Sequence, residues 1–466
     1  MVEPSVRAPK TASAPTPPTR TSASSASATD SPPRDRDGQQ SRLNRSSRIR
    51  WVIAGFCFAG LAINYLDRSA VSVALPFMTG DFNLTPTEQG IILSAFSWTY
   101  AVMQLPAGWL IDKVGTRIMF GASVLLWSVF TALTALAGNF ATLLGFRLGL
   151  GIGEAGAYPS SAKSVSQWFP LRERGRATAF YDSGARVGSA LAVPAVAAII
   201  GLFGWRAVFL ILGVLGLLWT IGWWTYYRSP EQHHGVNDAE LAHIHSQDDP
   251  AQEHPEAVAG APQGRIRDLL RYRTVWGMIA GFSCLNFVVT FFLTWFPSYL
   301  VEERGFSLLK LGFFGVIPGL TAVVGSWAGG LAGDALLARG WSVNKTRKTC
   351  LVAGMLTSSV IALAVVTEEA WLALVLLSLS YFAIAFAIVS VWCLPADVAP
   401  RSRVATLGGA QNFAANIASA ASPIVIGFLA GATGSFVVPL VVTGGVALLG
   451  AASFGLLIRR VEPLGS

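Results

Sequence analysis

The sequence predicts an all-α membrane protein: twelve transmembrane helices in two pseudo-symmetric six-helix bundles. Three observations carry this: a low charge content, twelve long apolar runs, and a loop pattern that recurs at the same place in each half. The chain has 466 residues, 52% hydrophobic and 13% charged. A soluble domain carries about 25% charged residues. So sparse a polar surface cannot cover a globule, and lipid must solvate much of the chain.

Roughly 20 apolar residues cross the hydrocarbon as a helix. Such runs lie near 51–78, 88–111, 117–137, 141–167, 175–201, 206–227, 274–300, 309–333, 349–367, 370–394, 404–431 and 435–458. The polar interruption at 228–273 sets the organisation. A disordered tail (1–50) precedes a first bundle (51–227), an inter-bundle loop (228–273), a second bundle (274–458) and a short C-terminus (459–466).

The tail is rich in Ser, Thr, Ala, Pro and Arg and lacks the apolar run of a signal peptide. Arg42, Arg45, Arg48 and Arg50, just before the first run, suit anionic headgroups. The scattered Cys57, Cys284, Cys350 and Cys393 read as small core residues.

The net charge of +8 is a topology signal and not a nucleic-acid footprint. With the N-terminus inside the cell, the inner loops hold Lys113, Arg117, Arg172, Arg174, Arg176, Arg228, Arg265, Arg267, Arg271, Arg273, Arg339, Lys345, Arg347, Lys348, Arg401, Arg403, Arg459 and Arg460. The outer loops hold only Arg68, Arg206, Arg304 and Lys310. The positive-inside rule therefore places both termini in the cytoplasm.

Between the second and third runs the chain reads Gly108-Trp-Leu-Ile-Asp112-Lys113-Val-Gly115-Thr-Arg117. The matching loop of the second half reads Gly330-Leu-Ala-Gly-Asp334, followed by Arg339, Lys345, Arg347 and Lys348. In both, a glycine precedes an aspartate by four positions at the inner end of a helix. A small residue admits close helix approach, and the charges can form ion pairs that hold one state.

Arg147 and Glu154 are two turns apart in the fourth run and, with Gly151 and Tyr158, form one helical stripe. Gly145, Gly149 and Gly153 would let another helix pack close. Ionisable groups inside a membrane are costly and by default functional, which singles out Asp67, Arg68, Arg147 and Glu154. Asp67 and Arg68 have the alternative of lying in the first outer loop, since Pro76 can end a helix. Tyr100 and Gln104 share a helix face, as do Asn286, Thr290 and Thr294, and Asn412, Asn416 and Ser419; Trp392 lies in the tenth run. Asp182 and Arg186 in the fifth run are four apart. Either they pair with each other, or Arg186 adds a second cation suited to a dianion or a sulfonate.

The loop at 108–117 resembles the G-x-L-x-D-[RK]-x-G-x-[RK] loop of the major facilitator superfamily, and Arg147-Leu-Gly-Leu-Gly151-Ile-Gly153 resembles its R-x-x-x-G-x-G. The segments Asn64-Tyr65-Leu-Asp67-Arg68, Glu154-Ala-Gly156-Ala-Tyr-Pro159, Trp168-Phe-Pro170, Trp295-Phe-Pro297-Ser-Tyr299, Pro395-Ala-Asp397 and Gly408-Gly-Ala-Gln-Asn412 are similar to the anion:cation symporter family within it. The likeness covers about 50–460. The resemblance implies uptake of a small organic anion (a sugar acid, another carboxylate or a sulfonate) with protons across a bacterial inner membrane, by alternating access. It implies Arg68, Tyr65, Tyr100, Trp392 and Asn412 as substrate contacts. Asp67 and Glu154 would be proton carriers, with Arg147 keeping Glu154 charged when the site is empty. Asp182 and Arg186 stand where sugar-acid members carry an amide, so the resemblance does not name the anion.

The chemistry suits these roles, because guanidinium grips carboxylate with two parallel bonds. A carboxyl in a dry site keeps its proton and a nearby guanidinium draws it off. The expected partners are the anion, protons and lipid, with no nucleic acid, no cofactor and a monomeric protein. An exchanger or exporter of the same fold, and an anion sensor that signals without transport, remain alternatives. An enzyme is disfavoured, since no phosphate-binding loop, paired metal ligands or nucleophile motif is found. The inter-bundle loop holds His233, His234, His243, His245 and His254. Their irregular spacing without cysteine reads as a flexible tether sooner than a metal site.

Overall fold

The computed structural model describes residues 47–246, 270–399 and 404–461. The first half comprises α1 (Ile49–Phe82), α2 (Pro86–Val114), α3 (Thr116–Thr134), α4 (Phe140–Glu154), α5 (Ala157–Trp168), α6 (Leu171–Phe203) and α7 (Trp205–Tyr226). A short α8 (Asp238–His245) lies in the inter-bundle loop. The second half comprises α9 (Arg273–Thr294), α10 (Leu308–Phe314), α11 (Ile317–Ala338), α12 (Val343–Ser358), α13 (Ala370–Val398), α14 (Val404–Thr433) and α15 (Val437–Ala452). Helices α4 and α5 together make the fourth expected span, and α10 and α11 the eighth. The expected tail lies outside the described residues apart from its last four, as do His254, Arg265, Arg267, Arg401 and Arg403.

Local chemistry sets the helix ends. Thr85 and Glu88 form a reciprocal capping box at the start of α2, and Asn139 caps α4 together with Thr142. Gly115 and Gly204, at φ +91° and +81°, make tight turns that a side chain would strain. Ten helices among the described residues are long and apolar enough to cross a membrane. The second and fourth expected spans are not among them. Helix α2 is less apolar, and the fourth span breaks at residues 155–156 into two shorter helices. The fourth span is also the one that carries Arg147 and Glu154.

By topology, α1 starts and α15 ends at one face of the bundle, here the terminal face. The halves meet at the opposite face. Built Cβ atoms on Gly90 and Gly427 would lie 2.4 Å from the carbonyl oxygens of Pro423 and Pro86, so α2 and α14 touch backbone to backbone there. Ser94 donates to the carbonyl of Ala420 across the same seam. At this face one buried apolar core runs through both halves, joining Leu75, Met78 and Val196 to Trp295, Phe296 and Leu311. Toward the terminal face the first half has a separate core, with Ile53, Phe120, Trp168 and Trp223. Gly108 and Gly330 have no neighbour within 4 Å of a built Cβ. Their expected close approach is therefore not used in this conformation.

The start of the inter-bundle loop is not a loose tether. Residues 230–246 fold against the first half. Glu240, fully buried, accepts from the backbone N–H groups of Ile49 and Arg50, and the Arg50 guanidinium donates to it at 3.0 Å. It therefore caps the start of α1 from a distant part of the chain. Arg50 also pairs with Glu173 at 3.1 Å and is 11% exposed. It is held in a protein network and is not turned to headgroups. His243 pairs with the same Glu173 at 3.0 Å, and His233 packs edge-on to Trp168 and Tyr226. Among the described residues no group of three or more His, Cys, Asp or Glu is placed to hold a metal.

Candidate functional site

Two glycine seams bring the ionisable residues together. Gly184 and Gly188 of α6 face the carbonyl oxygens of Phe58 and Ala62, each 2.2 Å from a built Cβ, which seats α1 directly on α6. Gly151 of α4 meets Phe96 and Thr99 of α2, and Gly153 meets Trp127 of α3. Gly149 faces Phe130, while Gly145, expected to serve the same purpose, faces open space. Helix α1 continues through Pro76, so Asp67 and Arg68 lie in mid-span and not in an outer loop.

Arg68 is the centre of the cluster. Its Nη2 and Nε donate to a single oxygen of Glu154 at 2.9 and 3.2 Å. Its guanidinium lies 4.5 to 4.9 Å from the ring centroids of Tyr65, Phe96 and Tyr100. The Arg68 side chain is 24% exposed and that of Glu154 not at all, so the cation covers the carboxylate.

Behind it lies Asp67, 2% exposed, with Thr131 donating to Oδ2 at 3.4 Å and Oδ1 without a protein partner. Arg147 is 4% exposed, lies over the Phe96 ring and has an unpartnered Nε. The sequence reading gave Glu154 to Arg147. In the structure Arg68 holds it, because the break after Glu154 and the seating of α1 bring Arg68 to bonding distance. Neither carboxyl group lines the cavity between the halves. Both are sealed within the first half.

The cavity lies beside this cluster, between the halves, with a volume of about 410 Å³. Its charged and hydroxyl-bearing wall comes mainly from the first half: Tyr65, Ser69, Ser72, Tyr158, Asp182 and Arg186. The facing wall is largely apolar and aromatic, with Phe292, Phe296, Tyr381 and Ile384. Tyr158 links cavity to cluster. Its hydroxyl donates to Asp182 at 3.2 Å and lies 3.4 Å from that of Tyr65, whose ring faces Arg68. Asp182 and Arg186 are paired at 3.3 Å, yet both line the cavity, with Arg186 64% exposed. The self-paired alternative is therefore the one seen, with the pair placed on the cavity wall.

Other expected contacts lie outside this cavity. Trp392, 55% exposed, packs edge-on to Phe282. Asn412 is half-buried on α14. Asn286, Thr290 and Thr294 donate back to carbonyls of their own helix. Three groups went unnoticed in the sequence: Thr131, the linking role of Tyr158, and Lys163. A lone lysine within an otherwise weakly polar span was the available signal for Lys163. It pairs with Asp112 at 2.8 Å, tying the end of α2 to α5. Lys113 lies over Trp109, and Arg117 donates to the Trp224 carbonyl. In the second half Arg347 pairs with Asp397 at 2.9 Å, and Asp334 is exposed.

The profile of the Major Facilitator Superfamily matches residues 57–423. The chain belongs to the Major Facilitator Superfamily. Its relatives are transporters, not enzymes. A probable galactarate/D-glucarate transporter of Bacillus subtilis is 35% identical over 90% of this chain and 94% of its own length. A probable L-galactonate transporter of Escherichia coli is 36% identical over 91% and 92%. A probable sulfoacetate transporter of Cupriavidus necator is 35% identical over 91% and 96%. The superfamily fold is also seen in the solved structure of a bacterial homologue of the human lysosomal transporter Spinster, inward-facing and unoccupied. It superposes with a TM-score of 0.77 at 19% identity, covering 90% of this chain and 98% of that one.

Proposed function

We propose that this superfamily member takes up a small organic anion together with protons across a bacterial inner membrane, works as a monomer and uses no cofactor. Both termini lie in the cytoplasm in this reading, and the conformation described is inward-facing: sealed at the outer face, parted at the inner one. The observation that carries the proposal is the Arg68–Glu154 pair, in which a part-exposed guanidinium, packed against Tyr65 of the cavity wall, covers a carboxylate sealed within the first half.

An arriving carboxylate or sulfonate competes with Glu154 for Arg68. Glu154, left buried without its counter-charge, then takes up a proton, because an unpaired buried carboxylate is costly. Asp67, backed by Thr131 and within electrostatic reach of Arg147, is the second carrier. Moving an anion against an inside-negative potential costs about 2.3 kcal/mol per charge per 100 mV. One proton per negative charge cancels this, and a further one makes uptake electrically driven. The halves then rock about the site. The relatives' names favour galactarate, glucarate, galactonate and sulfoacetate as anions to try.

Purified protein in proteoliposomes with an imposed inward proton gradient tests the reading. Accumulation of one of these anions, abolished when the pH gradient and potential are collapsed, is the expected result. Uptake that persists after both are collapsed, with the anion gradient held at zero, contradicts it.

A further inference from the structure

Glu154 and Asp67 are sealed from the cavity by Arg68 and Tyr65, which leaves open how their protons reach water. The polar atoms buried in the first half point to a route. Ser160, Ser164 and Trp168 are each 0% exposed, and Ser160 Oγ, Ser164 Oγ and Trp168 Nε1 have no protein partner. They are spaced by four on α5 and so lie along one face of that helix. The row advances about 12 Å, at roughly 1.5 Å per residue. Ser161, off this row, is already bonded to the Ala157 carbonyl. The unpartnered hydroxyls of α5 therefore fall on a single stripe.

Further buried polar groups flank the stripe. Asn64, 0% exposed, lies beside Glu154, two helical turns along α1 from Cys57. The Cys57 thiol and Tyr227 hydroxyl lie beside Ser164. The Tyr227 hydroxyl donates to Gln167 Oε1 at 3.0 Å, and Gln167 is exposed at the terminal face. None of these residues lines the cavity between the halves. Buried polar atoms without a protein partner are costly and are ordinarily satisfied by ordered water.

We infer that Ser160, Ser164 and Trp168 line a water-bearing proton path from Glu154 to the terminal face, separate from the route of the anion. This rests on the proton-coupled reading above. The protonated Glu154 gives its O–H proton to the first water of the row. Each water or hydroxyl accepts one proton and releases one, and the last enters bulk water near Gln167. Glu154 becomes a carboxylate and re-forms its bonds from Arg68, so no bond other than O–H changes and no charge is left in the row.

The test compares wild type with the Ser160→Ala/Ser164→Ala double variant in proteoliposomes, using whichever anion wild type accumulates. Two rates are read: uptake driven by a proton gradient, and counterflow exchange at equal pH, which needs no net proton release. Slowing of driven uptake by fivefold or more, with a larger solvent isotope effect in D2O and counterflow within twofold, is the expected result. Equal driven uptake in both proteins overturns the path. So does a parallel fall of both rates, which would make the serines merely structural. If wild type itself shows no proton-dependent uptake, the proton-coupled reading fails and the path falls with it.

Discussion

Arg68 donates twice to one oxygen of Glu154, from Nη2 and Nε at 2.9 and 3.2 Å, and makes no bond to the other oxygen of that buried carboxylate. The pair is thus not a fully satisfied bridge. It is open to exchange at the end of the guanidinium that water reaches. Charge-assisted hydrogen bonds contribute about 1.5–3 kcal/mol, which corresponds to roughly ten- to hundredfold in affinity. Arg68→Gln is expected to weaken anion binding by that factor, read by isothermal titration in detergent. Arg68→Lys should recover little of it, because the ammonium lacks the fork. Unchanged affinity in Arg68→Gln would remove Arg68 from the site.

Asp67 and Arg147 are both buried, yet no ion pair joins them at bonding distance. They share one buried cluster with Arg68 and Glu154, where a charge left uncompensated is costly. Asp67→Asn and Arg147→Gln should each lower the melting temperature sharply, while the double variant should lose less than the sum. Strict additivity would show that the two charges are balanced by other groups.

Arg186 divides its role between Asp182 and the cavity. If the cavity uses it as a second cation, Arg186→Gln should lower the ratio of dianion to monoanion uptake by about tenfold, roughly one charged bond. Galactarate and galactonate provide the comparison. An unchanged ratio would leave the residue as the partner of Asp182 alone.

The seam between α2 and α14 admits no side chain at Gly90, whereas Gly108 at the other face has room. Gly108→Val should therefore keep this conformation and block the one in which the terminal face closes. Gly90→Val should do the reverse. Labelling of single cysteines placed at the two faces reads the outcome, and equal labelling patterns in the two variants would contradict the rocking scheme.

Much of this was legible in the sequence. Ten of the twelve spans fell where apolar runs predicted, since the length of a run is set by the bilayer. The intramembrane charges at 67, 68, 147 and 154 stood out because lipid makes such groups costly to keep, and the structure brings them into one cluster. What the sequence could not supply was pairing. The stripe Arg147–Gly151–Glu154 holds two charges on one face of one helix, but whether Glu154 bonds Arg147 or Arg68 depends on how α1 seats on α6. The docking of residues 230–246 is illegible in the sequence for a similar reason. Their composition is that of a tether, and only the burial of Glu240 against the start of α1 gives them a fixed place.

That docked loop carries a pH signature. His233 sits against Trp168 and Tyr226, and its pKa is lowered, first by burial and then by the positive charge of His234 and Arg228, with Glu240 opposing more weakly. Unfolded chain therefore binds the proton more tightly than the docked loop does. Its contribution to stability is present above the ordinary histidine value of about 6.5 and is lost as pH falls through the lower, folded value. The melting temperature should drop between pH 7.5 and 5.5, and drop less in His233→Gln. An identical slope in that variant would place the pH sensitivity elsewhere.

The central claim is that a proton travels with the anion through Glu154. Adding anion to the outside of de-energised inverted or right-side-out vesicles, while recording external pH, tests it most directly. The account predicts alkalinisation that accompanies anion entry in wild type and disappears in Glu154→Gln, while the variant still exchanges labelled for unlabelled anion. Anion entry with no pH change in wild type, or equal alkalinisation in the variant, would contradict it.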